Sequence, residues 1–514
     1  MDVEIALVFS DQYVTTFWEG GRYKQAVKLQ EEVLEKQQQL LGDDHPKTLF
    51  RIGNLASLYS HLGEYQRAKE LEVIVLEKRE QVLGKSHPDT LRTMGSLAVS
   101  YSGLGEHQKA QELQAIVLEK QRQVLGENHP DTLLSMGNLA SSYSDLSEYQ
   151  KAKELGILVL QKRKQVRGEN HPETLHTMRS LAISYSGLGE YQKAKELYGT
   201  VLEKQRQVLG EDHPDTLHTM GNLARSHSKL GEHQKAKELD VIVLKKWKQV
   251  RGENHPDTLH IMCSLAVSYS GLGEYQKTQE LLAIVLEKQK QVLGENHPDT
   301  LLSMGNLASS YSDLSKYQEA KELGILVLEK QKQVWGENHP DTLHTMGSLA
   351  ISYSGLGEHQ KAKELYSTVW EKQRQVLGED HPDTLHAMGN LASSYLELSK
   401  HQKAKELGIL VLEKWKQVLG ENHPNTLRTM SSLAISYLGL GEYQKAQGLL
   451  AIVLEKQKQV LGENHPDTLL SMGNLAILYS DLEEHQRAKE LHVIVLEKRK
   501  QVLGENHPDT LHTM

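Results

Sequence analysis

This 514-residue chain has one cysteine and no long apolar run. The first scarcity excludes an internal disulfide, and the second excludes a membrane-spanning helix. The one cysteine, Cys263, rules out a disulfide within the chain. No uninterrupted apolar run approaches the roughly 20 residues that a membrane-spanning helix needs. The first ten residues, MDVEIALVFS, carry acidic side chains where a secretory signal peptide carries basic ones. We therefore expect a cytoplasmic protein that has no membrane partner.

An excess of positive charge and the common enzyme motifs are missing as well. The net charge is only -9 and the acidic and basic residues are interleaved, whereas nucleic-acid binders normally carry a concentrated basic field. Nucleotide-binding glycine loops, the HExxH pattern of metalloproteases and the GxSxG pattern of hydrolases do not occur. The sequence therefore predicts no enzyme activity, no cofactor and no nucleic-acid partner.

The prolines form the clearest regularity, because every one of the 12 follows a histidine and the pairs lie 42 residues apart. The histidines of these pairs are His45, His87, His129, His171, His213, His255, His297, His339, His381, His423, His465 and His507. We call the stretch from one such histidine to the next a unit, so that unit 1 begins at His45 and unit 11 at His465. A fixed period of this length indicates a solenoid, in which each unit buries its apolar face against the next.

Slower periods lie on top of this one. The residue before a recurring Leu-Ala pair is Asn in odd units and Ser in even units, as at Asn138 and Ser180. When residues 87–254 are aligned with residues 255–422, 139 of the 168 positions are identical. The array therefore reads as a copied block of four units.

Each unit predicts two helices, as unit 2 illustrates. Pro88 suits the first helical position, His87 before it can cap the helix, and Gly105 ends it. A second helix starts near Glu106 and is closed by Gly126. Apolar residues recur at helical spacing on one side of both helices. They are Leu91, Met94, Leu97, Ala98, Tyr101, Leu104, Ala110, Leu113, Ile116, Val117 and Val124. The unit is thus a helix hairpin with a capped start.

These residues resemble a tetratricopeptide repeat, in which a Leu-Ala pair and a tyrosine on the first helix are followed by a glycine, an aromatic residue and an alanine. Leu97, Ala98, Tyr101, Gly105, His107 and Ala110 fill those places, with His107 where Tyr149 and Tyr191 stand in other units. The 42-residue length and the HPDTL motif are similar to the repeats of kinesin light chains and to arrays appended to fungal and bacterial signalling ATPases. The resemblance implies an all-α, right-handed superhelical solenoid of antiparallel helix pairs, with about 24 helices.

The expected organisation has three parts. Residues 1–44 are expected to form a degenerate unit that precedes unit 1, since Gly21, Tyr23 and Ala26 have the expected offsets. Residues 45–506 hold eleven tandem units, and residues 507–514 stop within a twelfth. A stop there leaves an apolar face uncovered, so the chain is expected either to continue in nature or to be a fragment.

The resemblance also implies a binding groove, because the first helices of this family line a concave face. The predicted apolar groove residues are Val99, Ile183, Val267, Ile351 and Ile435, all in even units. Odd units place serine there, followed by an acidic residue, as at Ser141 and Asp145. This alternation suits an amphipathic protein or peptide segment.

One part of the predicted groove is basic. Arg179 replaces a glycine, and Arg225 and Lys229 stand where other odd units have serine and an acid. Members of the family that clamp carboxylates use basic residues at the places of Arg179 and Arg225. Together with His176 and His218, these residues form the only strongly basic spot of the predicted groove and suggest a site for an acidic or C-terminal carboxylate segment, while neutral drift after duplication is the plainer explanation.

Other candidate sites have plainer interpretations. A metal ladder of His-Pro histidines is excluded, because equivalent atoms of stacked helix pairs lie on the order of 10 Å apart and zinc needs ligands at about 2 Å. Cys263 is expected to be inert, since it has no fixed His or Asp partner. Trp247 and Trp415 are expected to pack between units with wet edges, with a contact on the convex face as the alternative.

The sequence therefore predicts a noncatalytic scaffold that binds a protein or peptide ligand. Two alternatives remain open: the sensor arm of a larger signalling ATPase, and a cargo adaptor like kinesin light chain. The adaptor is the weaker alternative, because no heptad run precedes the array.

Overall fold

A computed structural model of the chain describes residues 12–17, 23–503, 505, 510 and 513, which form helices and turns without any strand. Residues 12–17 are helical, and the helix Tyr23–Leu41 precedes unit 1. The first helices of units 1–11 are Pro46–His61, Pro88–Gly103, Pro130–Asp145, Pro172–Gly187, Pro214–Lys229, Pro256–Gly271, Pro298–Asp313, Pro340–Gly355, Pro382–Glu397, Pro424–Gly439 and Pro466–Asp481. The second helices are Tyr65–Leu83, His107–Leu125, Tyr149–Arg167, Tyr191–Val208, His233–Arg251, Tyr275–Val292, Tyr317–Trp335, His359–Leu377, His401–Val418, Tyr443–Val460 and His485–Leu503.

The predicted all-α solenoid of helix pairs is confirmed. Each helix packs against the helix before it and the helix after it, and the first helices of neighbouring units touch as well. In unit 2, Leu91, Met94 and Val117 form one buried cluster. Ala98 and Ala110 are fully buried, and their small side chains let the two helices approach closely. Among the described residues, no helix combines the length and the apolar character that crossing a membrane requires.

The predicted histidine caps are present at the start of the first helix in units 1–11. His87 has an extended backbone (φ -67°, ψ 140°), and its Nδ1 accepts a hydrogen bond from the Asp89 N–H at 3.1 Å. The cap satisfies one of the N–H groups that a helix start leaves without a partner. His507 lies outside the described residues. The Nδ1 of each capping histidine in units 1–11 therefore acts as the acceptor of the cap bond.

The loop between the two helices of a unit needs a left-handed residue. Gly105 has φ +73°, and the N–H of Glu106 bonds to the Tyr101 carbonyl at 2.9 Å. In units 3, 7, 9 and 11 the same place holds a residue with a Cβ at φ 55° to 61°. These residues are Ser147, Ser315, Ser399 and Glu483. The loop shape is thus kept even where glycine is replaced, at a cost of about 1–2 kcal/mol per residue.

Units six apart in sequence touch one another, because the superhelix closes on itself. The Nε2 of His297 in unit 7 lies 3.2 Å from the His61 carbonyl oxygen of unit 1. The Nε2 of His423 lies 3.4 Å from the Gly187 carbonyl oxygen. A third contact of this kind, at 3.3 Å, joins His465 to the Lys229 carbonyl. Units 1–5 therefore form a first turn of the superhelix, and units 7–11 lie against it as a second turn.

The same contact leaves no room for a side chain at the loop glycine of the first turn. A Cβ placed on Gly105 would lie 2.6 Å from the Pro340 Cδ, and one on Gly189 would lie 2.6 Å from the Pro424 Cδ. At the equivalent place in the second turn, Gly357 has no atom within 4 Å of such a Cβ. At Gly105 and Gly189 the glycine is thus favoured twice, by its backbone angle and by the opposing proline, whereas unit 3 of the same turn carries Ser147 at this place.

Trp247 and Trp415 pack between units as predicted, but their edges are not in contact with solvent. Trp247 and Trp415 are fully buried, so the expectation of wet edges is wrong. Trp247 stacks on the capping His255 of the next unit, with ring centroids 6.5 Å apart, and Trp415 does the same with His423 at 6.4 Å. Burial under the next cap also removes the convex-face alternative.

The predicted boundaries at the two ends of the array, residues 1–44 and 507–514, stay predictions. Tyr23–Leu41 occupies the place of a second helix before unit 1, and Ala26 is buried there, whereas Gly21 lies outside the described residues. Most of residues 507–514 lie outside them too.

Candidate functional site

The five aliphatic residues predicted for the groove are all exposed on first helices. Val99, Ile183, Val267, Ile351 and Ile435 are 41–56% accessible. Other apolar residues of the same helices, such as Leu97 and Ala98, are buried in the core. Exposed aliphatic side chains that recur every second unit form a row that solvent does not favour. We call these five residues the aliphatic row.

Carboxylates alternate with the aliphatic row in units 3, 7 and 9. The hydroxyl of Ser102 in unit 2 donates to Asp145 of unit 3 at 3.1 Å, and Ser354 of unit 8 donates to Glu397 of unit 9 at 2.6 Å. Burial raises the pKa of the Asp145 carboxyl above its ordinary value, although the bond from Ser102 opposes this. The predicted alternation of apolar and mildly acidic patches is therefore present along the first helices.

The predicted basic spot is divided into two parts by its contacts. The Nη1 of Arg179 lies 3.5 Å from the Asp215 carboxylate, and the Arg179 side chain is only 16% exposed. Burial lowers the pKa of both His176 and His218, and the positive charge of Arg179 lowers both further. These two imidazoles are therefore neutral at pH 7, and Arg179 is partly neutralised by its own neighbour.

Arg225 and Lys229, the other part of the predicted spot, are exposed. The Nη2 of Arg225 lies 3.3 Å from the Nε2 of His260. Both side chains line a cavity of about 500 Å³ that the first turn forms together with the second. The structure thus places Arg225 and Lys229 in a space that only the closure of the superhelix creates.

A second cavity, of about 260 Å³, lies between units 3 and 4 and includes predicted groove residues. His176 and Ile183 line it, together with Asp145. Its origin is Gly156 on the second helix, which also lines it and stands where unit 4 has the buried Tyr198. Glycines at the same place in units 7 and 9, Gly324 and Gly408, line smaller cavities of about 40 and 60 Å³. The missing side chain therefore opens clefts along the first helices.

Sequence reasoning missed further exposed apolar residues on the first helices. Leu134, Leu302 and Leu470 are 53–54% accessible, and they occupy the place of His176 in their units. Ile477 also stands exposed, at the place of Ile183 but in an odd unit. The signal was available, because the three leucines recur at 168-residue intervals, four units apart.

Among the described residues, no group of three or more His, Cys, Asp or Glu side chains lies close enough together to hold a metal ion. Burial raises the pKa of the Cys263 thiol to about 11, so the thiolate is scarce at neutral pH. Cys263 also lies 3.4 Å from the Ser303 hydroxyl. The thiol is therefore a packed polar group with little nucleophilic character.

Most of the sequence matches one family of repeat proteins. A family profile described as a tetratricopeptide repeat matches residues 4–72, 100–156, 145–207, 185–240, 260–333, 401–455 and 433–493. A second profile of the same description matches residues 342–383. No curated protein matches the chain. The family matches cover well over half of the sequence.

Several solved structures are similar to parts of the chain. A structure of putative kinesin light chain nearly identical TPR-like repeats from Podosopora anserina is 33% identical; the match covers 40% of this chain and 97% of that one, with a TM-score of 0.34. BtubC (BKLC) from P. vanneervenii is 19% identical, covering 48% and 92% with a TM-score of 0.35. A Rap protein complexed with Competence and Sporulation Factor is 13% identical, covering 72% and 99% with a TM-score of 0.49.

Proposed function

The chain belongs to the tetratricopeptide repeat family, and from that premise we propose that it binds an amphipathic protein or peptide segment along the first helices of its units. The observation that carries the proposal is the aliphatic row. Five exposed aliphatic residues recur on first helices, each directly after a Leu-Ala pair that is buried. An unpaired row of this kind stabilises a complex when a partner covers it.

The surroundings of the row fit a segment with both apolar and polar faces. Between the aliphatic residues lie serines and the carboxylates of units 3, 7 and 9, such as Asp145. The cleft beside Ile183 is large enough, at about 260 Å³, to accept an apolar side chain of the partner. Recognition would then combine apolar anchors with hydrogen bonds, as is usual when a segment binds in a groove.

The test selects a peptide from a random library displayed against the full chain, and then measures its affinity for two double variants. Ile183→Ser with Ile351→Ser removes two residues of the aliphatic row and inserts the serine that odd units carry there. The matched control is Ile116→Ser with Ile284→Ser, two comparably exposed isoleucines on second helices. We expect at least a tenfold loss of affinity for the first variant and an unchanged affinity for the control. Equal losses, or a loss in the control alone, would place the binding surface elsewhere.

The basic residues are proposed to favour an acidic partner. Arg179→Gly with Arg225→Ser restores the residues that the copied units carry at these places, as Gly347 and Ser393 show. If acidic side chains of the partner dock there, the double variant binds an acidic selected peptide at least tenfold more weakly, whereas an uncharged peptide is unaffected. Equal affinity of the acidic peptide for both proteins would remove the basic residues from the proposal.

A further inference from the structure

The cavity between the two turns has an unusual lining. Its volume is about 500 Å³, which is within the range of small-molecule sites. Units 3–5 of the first turn form one wall, and units 9 and 10 of the second turn form the other. Its principal side chains are Tyr149, Tyr191, Arg225, Lys229, Asp383 and Arg428. The cavity therefore joins residues that are some 200 positions apart in sequence, such as Arg225 and Arg428.

The three cations of the cavity have no carboxylate partner within salt-bridge distance among the described residues, whereas most lysines of the second helices do have one. Arg428 instead points its Nη2 at the Nδ1 of His386, 2.8 Å away. Arg225 points at His260. Burial of the ring and, as the second cause, the positive charge of Arg428 lower the pKa of His386 to about 3, so this ring is a neutral acceptor. Neutral imidazoles orient the guanidinium groups without cancelling their charge.

This concentration of charge is specific to one place in the array. Where Lys229 stands in unit 5, units 3, 7 and 9 carry the acids Asp145, Asp313 and Glu397. Where Arg225 stands, the same units carry serine. An otherwise acidic chain thus has a local reversal of sign, and it lies where the second turn adds Arg428.

The charges can be counted. Arg225, Lys229 and Arg428 contribute three positive charges, and Asp383 contributes one negative charge. Asp383 is itself near a histidine, with 3.8 Å between its carboxylate and the Nδ1 of His381. The other acid that Arg225 influences, Asp240, is buried and accepts a hydrogen bond from Ser268 at 2.8 Å. The lining therefore has a net charge of about +2, which a ligand of charge -2 would balance.

We propose that this inter-turn cavity binds a small phosphomonoester. A phosphate monoester carries about -1.5 to -2 charges at pH 7, and it presents three oxygens to the guanidinium and ammonium groups. Arginine forks match phosphate oxygens in pairs, and the rings of Tyr149 and Tyr191 provide a wall for the organic part. A peptide carboxylate would leave half of the positive charge unbalanced. Ile183 of the aliphatic row also lines this cavity, as does Arg225. The two proposals are tested with different ligands, a selected peptide and phenyl phosphate, so that either proposal can fail alone.

The experiment titrates the full chain with phenyl phosphate and with benzoate by isothermal calorimetry, in a phosphate-free buffer. We expect phenyl phosphate to bind at least tenfold more tightly than benzoate. Arg225→Ser with Arg428→His should weaken phenyl phosphate binding at least tenfold, and Lys229→Glu should add to the loss. These replacements occur at the same places in units 9 and 6, as Ser393, His260 and Glu397 show, so the helices accommodate them.

The control is Arg92→His in unit 2. Arg92 occupies the place of Arg428 in its helix, but it pairs with Asp89 at 3.1 Å and lies outside the cavity. Its replacement should leave the affinity for phenyl phosphate unchanged. No binding by the unmodified chain, equal binding of benzoate, or an equal loss in Arg92→His would each overturn the proposal.

A second variant tests the role of the two turns without touching a cation. Gly189→Ala places a Cβ against Pro424 and should separate the turns beside the cavity, whereas Gly357→Ala meets no opposing atom. We expect at least a tenfold loss of phenyl phosphate binding in Gly189→Ala and no loss in Gly357→Ala. Full binding by Gly189→Ala would show that one turn alone binds the phosphate, and would overturn the inter-turn site.

Discussion

The first and second turns of the superhelix use the same capping residue in different surroundings. The side chains of His87 and His129 in the first turn are 39% exposed, whereas those of His297 and His381 in the second turn are 7% and 6% exposed. All four accept the same cap bond on Nδ1. One local motif is thus a solvated cap in one place and a buried contact between turns in another.

The sequence of a repeat unit therefore does not by itself determine how exposed its residues are. In the second turn, the ring of His423 accepts the cap bond on Nδ1 and lies against the Gly187 carbonyl with Nε2. Together these two bonds require the neutral ring with its proton on Nε2. Equivalent histidines of the first turn have only the first of these bonds. The two turns are therefore expected to differ in stability.

The largest effect is expected for the loop glycines. Both Gly105→Ala and Gly357→Ala place an alanine at positive φ, which costs about 1–2 kcal/mol. Only Gly105→Ala also drives a Cβ into Pro340, which adds about 1–3 kcal/mol of overpacking unless the turns separate. Hydrogen exchange of unit 8 and the radius of gyration from small-angle scattering should both increase in Gly105→Ala only. Identical behaviour of the two variants would mean that the turns do not touch in solution.

The second largest loss of stability is expected at acid pH, and mainly in the second turn. Burial lowers the pKa of His423 to about 4, although the bond to Gly187 opposes this, so the unfolded chain binds more protons between this value and about 6.5. The stabilisation is therefore complete above pH 6.5 and is lost as the pH falls towards 4. At pH 5 the loss is about 2 kcal/mol for this histidine.

Hydrogen exchange at pH 7 and pH 5, corrected for intrinsic rates, measures this loss unit by unit. Protection at the start of unit 10 should fall more than protection at the start of unit 4. His423→Asn keeps a cap but has no titrating group, so it should remove the extra pH dependence of unit 10. An equal loss of protection in both units would contradict the role of burial.

The smallest effect is expected for the cap histidines at neutral pH. His423→Asn and His171→Asn both keep an oxygen that can cap the helix. Only the first variant loses a contact across the turns, and one such hydrogen bond is worth about 0.5–1.5 kcal/mol. Local hydrogen exchange should therefore rise about threefold to tenfold in unit 10 and stay unchanged in unit 4. A larger effect of His171→Asn would show that the cap alone matters.

Much of the local structure could be predicted from the residues. The histidine cap, the glycine loop and the buried alanines depend on side chains within one unit or its neighbour, and His87, Gly105 and Ala98 behave as expected. The aliphatic row also lies exposed on the first helices, because helical spacing places Val99 away from the core that holds Leu97. Trp247 was misjudged because its burial comes from the cap of the following unit, His255.

The candidate sites were harder to predict, since they depend on distances between units. Arg179 and Arg225 stand at corresponding groove places, yet Arg179 pairs with Asp215 while Arg225 faces the cavity between the turns. Arg428 was not predicted, because Arg225 and Lys229, with which it shares the cavity, lie about 200 residues earlier in the sequence. A period of 42 residues reveals neighbours but not the number of units in a turn.

By itself the sequence determined the helix pair, its caps, its length and the order of stacking, because these follow from interactions within about two units. Only the tertiary structure decided that unit 7 lies on unit 1, and with it which histidines are buried and which cations share a cavity. The physical reason is that the rotation between neighbouring units, which side-chain packing sets, accumulates along the array. Six such rotations bring unit 7 against unit 1, and the sequence of a single unit does not reveal their total.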